Sequence, residues 1–310
     1  MLGNGSVDLF SVFVMRSLDL SSEGKYMTVL IGSLIYSFTL FCHLSLLVVI
    51  ATNRNLHCPM YFFLITLSIN DLIGITATMP RVMSDVLSDN RHITYPACLI
   101  QAFCIHMYGG ATLLILSIMA FDRYLAICHP LRYHCIMTKS TVLSLIASAW
   151  LIDFLLVGPL FVLTLRFPLC KTAIVNIYCD NQSLLKLTCA TDTTVNNIYG
   201  LFITGLLHGV GLTSVVFSYS LILFTCFKSS KSDAKLKALQ TCLFLFLEFN
   251  SCFSVLALRF EDKYPSLRNA FGLSIMVFPP ILNPLLYGLK TKEIRQNVLQ
   301  FYKRKVSSGK

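Results

Sequence analysis

The chain has 310 residues, 55% of them hydrophobic and 13% charged, against roughly a quarter charged in a soluble domain. That composition excludes a water-soluble enzyme or binding module and indicates a membrane protein. The formal charge of +10 does not indicate nucleic-acid binding, because no basic run is joined to a soluble fold.

Gaps between charges mark seven candidate spans, at 26–51, 59–80, 93–121, 141–165, 194–227, 238–258 and 269–289. Each has at least the ~20 residues an apolar helix needs to cross a bilayer. Fifteen of the 25 Lys and Arg lie after spans one, three, five and seven, where the acids are only Asp122, Asp233 and Glu293. The positive-inside rule makes those segments cytoplasmic and the N-terminus extracellular. Residues 1–25 read as a short polar outer tail with no cleavable signal pattern. Asn4 in Asn4-Gly5-Ser6 and Asn181 in Asn181-Gln182-Ser183 are glycosylation sequons on that side.

In chain order, span one holds one titratable group, His43, which reads as a neutral imidazole hydrogen-bonded to a neighbouring helix. The next element starts in Leu56-His57-Cys58-Pro59-Met60-Tyr61, with Pro59 where a first helical turn has no use for its N–H. Asp71 is the single charge of span two and belongs on the bundle interior. Residues 92–121 carry no Asp, Glu, Lys or Arg, and Asp122-Arg123-Tyr124 follows. An acid and a base at a span mouth cost little if they face water and each other. Cys98 precedes Arg123 by 25 residues, or ~37 Å of helix, about one membrane thickness.

Span four contains Trp150, the only Trp, and an intramembrane acid, Asp153. Cys98, Cys170, Cys179 and Cys189 fall on the outer side, where disulfides form, and four cysteines allow three pairings. Span five ends at Ser218-Tyr219, and a basic linker, 228–237, leads to Lys237-Ala238-Leu239-Gln240-Thr241-Cys242. Span six carries Glu248, and an intramembrane carboxylate is a functional candidate by default. Span seven closes with Pro279-Pro280-Ile281-Leu282-Asn283-Pro284-Leu285-Leu286-Tyr287, whose prolines free carbonyls that neighbouring helices can satisfy. Ile294, Val298, Leu299 and Tyr302 then recur at helical spacing, as in a short amphipathic helix on the inner leaflet.

Asp122-Arg123-Tyr124 followed by Leu125-Ala126-Ile127-Cys128-His129-Pro130 resembles the third-helix signature of rhodopsin-like G protein-coupled receptors, in the form used by olfactory receptors. The 56–61 motif, Ser218-Tyr219, the 237–242 motif and Asn283-Pro284-x-x-Tyr287 extend the resemblance over nearly the whole chain. It implies an all-α membrane protein, a seven-transmembrane helix bundle with a short amphipathic cytoplasmic helix. The single receptor domain would comprise a tail at 1–25, the bundle at 26–289 and a cytoplasmic helix and tail at 290–310.

The function the resemblance implies is a plasma-membrane odorant receptor, not an enzyme, with no cofactor and no metal. Its partners would be a small odorant from outside, the lipid bilayer, and a stimulatory, olfactory-type heterotrimeric G protein that raises cyclic AMP. No nucleic acid is expected. Pro279-Pro280, residues 290–295 and the 237–242 motif look closest to the class I and fish branches, which favour water-borne polar odorants.

Residue by residue, the resemblance joins Cys98 to Cys179 and Cys170 to Cys189, and assigns coupling and switching to Asp71, Asp122, Arg123, Tyr124, Tyr219, Asn283, Pro284 and Tyr287. Relatives link the matching Asp to a span-one Asn and a span-seven Asn; here the span-one partner is His43. The ligand pocket falls on His106, Tyr108, Gly109, Thr204, His208, Glu248, Phe249 and Cys252, with Arg259 at the rim. Glu248 would favour a cationic or strongly donating ligand group. Span six departs from the family by about six missing residues, or ~9 Å of helix, so weaker coupling is expected. The competing class is a proton-coupled transporter using Asp71, Asp153 and Glu248. No paired repeat of the kind transporters show is present in the sequence.

Overall fold

The computed structural model describes residues 12–15, 20–88, 91–174, 176–228, 265–289 and 294–299. Helix starts follow local chemistry. The Ser21 hydroxyl accepts from the Gly24 N–H at 3.2 Å and opens α1, Ser22–Thr52. Proline at the first turn opens α2, Pro59–Leu87, and α3, Tyr95–Cys128. A seven-residue helix, α4, Pro130–Ile136, precedes α5, Lys139–Leu165, which Thr138 caps through the Thr141 N–H. Asp180 caps the short α6, Asn181–Lys186, by accepting from the Ser183 N–H at 2.8 Å. α7 is Thr194–Lys228 and α8 is Pro265–Asn283, which runs into a π-helical turn, Pro284–Leu289.

Among the described residues α1, α2, α3, α5 and α7 are long and apolar enough to cross a membrane, and 272–286 adds a shorter apolar stretch. The expected sixth span lies outside the described residues, with Glu248, Phe249, Cys252 and Arg259, and so does Asn4. Charge gaps placed some helix ends short. α2 continues to Leu87 because Arg81 and Asp85 pair at 2.9 Å one turn apart, which keeps the charged turn helical. α3 runs through Asp122 and Arg123 to Cys128.

The bundle is centred on α3, which packs against α2, α5 and α7. Towards its C-terminal end the core holds Phe63, Leu67, Ile115, Met119, Val215 and Tyr219. Leu34, Leu143, Phe154, Val162, Phe202 and Phe217 are exposed. Apolar side chains all round a helix, inside and out, fit a bundle whose outer solvent is hydrocarbon.

The N-terminal tail is more than a polar arm. Val12–Met15 forms β1, antiparallel to β2, His92–Thr94, and parallel to β3, Ala173–Ile174, in the order β2-β1-β3. Phe13 and Met15 are buried while Val12 and Val14 are exposed, the two-residue alternation of a half-buried strand. At the other end of the bundle a helix at 294–299 docks through Ile294, fully buried among Leu46, Ile50, Leu56, Tyr61 and Leu64, with Val298 beside it. Leu299 is exposed and does not share that face.

Candidate functional site

Near the sheet the helices part around a cavity of about 130 Å³, bordered by α3, α5, α7, α8 and the loop between α5 and α7. His106, Gly109, Thr204 and His208 from the sequence candidates line it, together with Val157 and Leu160 of α5, Tyr178 of the loop and Met276 of α8. Tyr108 does not line it, contrary to expectation. Its ring lies against Gly74, where a Cβ would overlap it, and its hydroxyl donates to the Ile275 carbonyl at 3.4 Å. That carbonyl is the one Pro279 cannot serve, having no N–H to return four residues back, so Tyr108 holds helices together.

The loop is pinned over the cavity. Cys98 is joined to Cys179 and Cys170 to Cys189. Beside the first bridge the Gln101 amide accepts from the Cys179 N–H and donates to the Ala77 carbonyl, both at 2.8 Å. The Asn181 sequon needs correction. Asn181 is 1% exposed and Ser183 3%, and the Asn181 carbonyl accepts from the Thr164 hydroxyl at 2.8 Å. A bulky surface glycan cannot occupy that position in the folded protein.

The cavity's polar groups share a character. Nδ1 of His106 stands 2.9 Å from the Ala102 carbonyl, and Nδ1 of His208 stands 2.9 Å from the Thr204 carbonyl. A carbonyl only accepts, so both Nδ1 atoms carry the hydrogen. The Thr204 hydroxyl spends its hydrogen on the Gly200 carbonyl at 2.8 Å. Asp180, the cap of α6, also lines the cavity, and among the described residues no Lys or Arg does.

Midway along the bundle, Asp71 accepts from the Asn283 amide at 2.9 Å, and His43 Nε2 lies 3.7 Å from the same oxygen. His43 Nε2 also lies 2.8 Å from the Pro280 carbonyl, to which it donates. Pro284 has no N–H for that carbonyl, so an imidazole from α1 supplies the bond missing at the bend. All three side chains are buried.

At the far end of α3 the carboxylate of Asp122 is fully buried and holds Arg123 Nη2 at 2.6 Å. Its other oxygen accepts from the Tyr133 hydroxyl of α4 at 2.9 Å. Burial, and then the Asp122 charge, push the Tyr133 pKa above the ordinary tyrosine range, so it stays a donor. The Tyr124 hydroxyl meets His129 Nε2 at 2.9 Å, and Tyr219 is buried in the core beneath. Pro284 and Tyr287 sit in the π-helical turn after α8. Sequence reasoning missed Tyr133 and the α5 wall; the 153, 157, 160 spacing on α5 was the available signal for the wall.

The olfactory receptor family profile matches residues 32–305. The chain is 35% identical to human olfactory receptor 52N5 over 99% of its own length and 93% of the relative's. It is 36% identical to human olfactory receptor 52R1 over 86% of each. It is 35% identical to mouse olfactory receptor 51E2, again over 86% of each. These relatives are consistent with the class I branch. A multi-pass bundle organised on α3, with Asp122-Arg123 at one end and a disulfide-pinned loop at the other, agrees with that match: the chain belongs to the olfactory receptor family of rhodopsin-like, seven-transmembrane G protein-coupled receptors.

Proposed function

We propose that the protein binds a small odorant in the cavity under the pinned loop and activates a stimulatory heterotrimeric G protein at the Arg123 end, raising cyclic AMP. The sheet, the loop and the N-terminus face outside; both disulfides lie at that end, and Arg54, Arg123, Arg132 and Lys139 lie at the other. The observation that carries the reading is that one helix serves both ends. Gly109 and Gly110 of α3 line the cavity, and Arg123, ~20 Å further along the same helix, is held by the buried Asp122. A ligand that binds one arrangement of α3 and its neighbours more tightly shifts the population at the Arg123 end.

Cells expressing the chain with a stimulatory G protein should raise cyclic AMP when given polar, water-borne odorants. A solute or proton flux without a cyclic AMP response would favour the transporter alternative instead. The comparisons give that alternative no support. Asp71 and Asp153 also stand in separate surroundings, the first against Asn283 and His43 and the second against Gly110.

A further inference from the structure

Asp153 is the buried acid that neither the bundle's polar network nor the Arg123 end uses. It is 0% exposed, and neither carboxyl oxygen has a hydrogen-bond partner among the described residues. The Ala111 amide close by belongs to the helical ladder of α3. A carboxyl group left so inside a membrane bundle is costly, and such groups mark functional positions.

Its place is specific. Asp153, Val157 and Leu160 follow one another at helical spacing on α5, and the last two line the cavity, so the carboxyl lies one turn beneath the cavity wall. It rests on α3 at Gly110, where a Cβ would overlap it. That same Cβ would lie 3.2 Å from Leu207 Cδ1. Gly110 and Leu207 both line the cavity, so backbone and one rotatable leucine form the wall shared by cavity and carboxyl. At Gly109, also on the cavity lining, a Cβ would meet nothing within 4 Å among the described residues.

We propose that Asp153 anchors the ammonium group of the ligand at the cavity floor, reached when Leu207 changes rotamer, and that the preferred odorants are therefore aliphatic primary amines. The inference rests on reading the cavity as the odorant site and adds the ligand class. The rest of the described lining agrees with it: Thr204 presents an acceptor, Asp180 is a second carboxylate, and no described Lys or Arg lines the cavity. A ligand bearing several N–H donors and a positive charge matches such a lining. A carboxylic acid of the same length finds no cation among the described lining residues.

The test uses the purified full-length protein in lipid nanodiscs and reads ligand-dependent thermal stabilisation, with no G protein present. The probes are n-butylamine to n-octylamine, with n-alkanols and n-alkanoic acids of equal length. Amines should bind at least tenfold more tightly than equal-length alcohols or acids. Asp153→Asn should weaken the amines about tenfold to a hundredfold and leave the alcohols within threefold. Gly110→Ala, which displaces the carboxyl, should weaken amines in the same direction. The inference is overturned if the wild-type protein shows no preference for amines, a result needing no variant, or if Asp153→Asn binds them unchanged. A cyclic AMP response to acids alone would overturn it while leaving the receptor reading intact. Amine binding without any cyclic AMP response would do the reverse.

Discussion

Replacing His43 by Phe removes the donor that serves the Pro280 carbonyl at 2.8 Å while keeping a ring of similar size. A buried acceptor left unserved costs about 1 to 3 kcal/mol in water-soluble proteins. Inside membranes, measured side-chain hydrogen bonds average nearer ~0.6 and reach ~1.7 kcal/mol. About 1 kcal/mol is therefore expected, or a fall in unfolding midpoint of roughly 2 to 4 °C by the scaling for large domains. His43 also lies 3.7 Å from Asp71, so the single variant mixes two effects. Pro284→Ala separates them, because an alanine there has an N–H to return to Pro280. In that background His43→Phe should cost about 1 kcal/mol less. Thermal unfolding of the four proteins of the cycle in one detergent or nanodisc supplies the numbers. If His43→Phe costs the same with Pro284 or Ala at that position, His43 does not serve the freed carbonyl and the reasoning fails.

Further outcomes are expected. Cys179→Ser opens the bridge to Cys98, a loss that typically costs ~2 to 5 kcal/mol in small secreted domains; surface staining of intact cells should fall to background. Tyr133→Phe removes the hydroxyl that holds Asp122 and should raise ligand-independent cyclic AMP at matched surface expression. Because the Tyr133 pKa is raised in the fold, the stability it contributes is complete below the unfolded value near pH ~10 and is lost as pH rises through the folded one; the wild-type advantage over Tyr133→Phe should shrink in that window. Asn181→Gln should leave electrophoretic mobility unchanged after and before glycosidase treatment, since Asn181 is buried, whereas Asn4→Gln should remove the glycan.

How much was legible in the sequence depended on whether a feature was local. Pro59, Asp71 and the spacing of Ile294 and Val298 each follow from what a bilayer demands of nearby residues, and the helices lie where they indicate. Helix ends were misjudged where an ion pair such as Arg81–Asp85 carries a helix beyond the apolar slab. Tyr108 was misread because its role depends on a proline 171 positions away in sequence, whose freed carbonyl it reaches. That His43 bonds a neighbouring helix was visible, but the carbonyl it serves was not, for the same reason. Val12–Met15 reads as part of a polar tail, because four apolar residues in a row show no alternation and the strand's partners come from two distant loops. Asn181 reads as a surface sequon by pattern and is buried by the fold of its own loop.

The most direct measurement of the central claim is odorant-stimulated nucleotide exchange on a purified stimulatory G protein, driven by the purified receptor and by its Arg123→Ala variant at equal ligand occupancy. The account predicts ligand-dependent exchange by the wild-type protein and its loss in the variant, with ligand binding retained. Ligand binding at the cavity with no exchange by the wild-type protein, or equal exchange by Arg123→Ala, would contradict it.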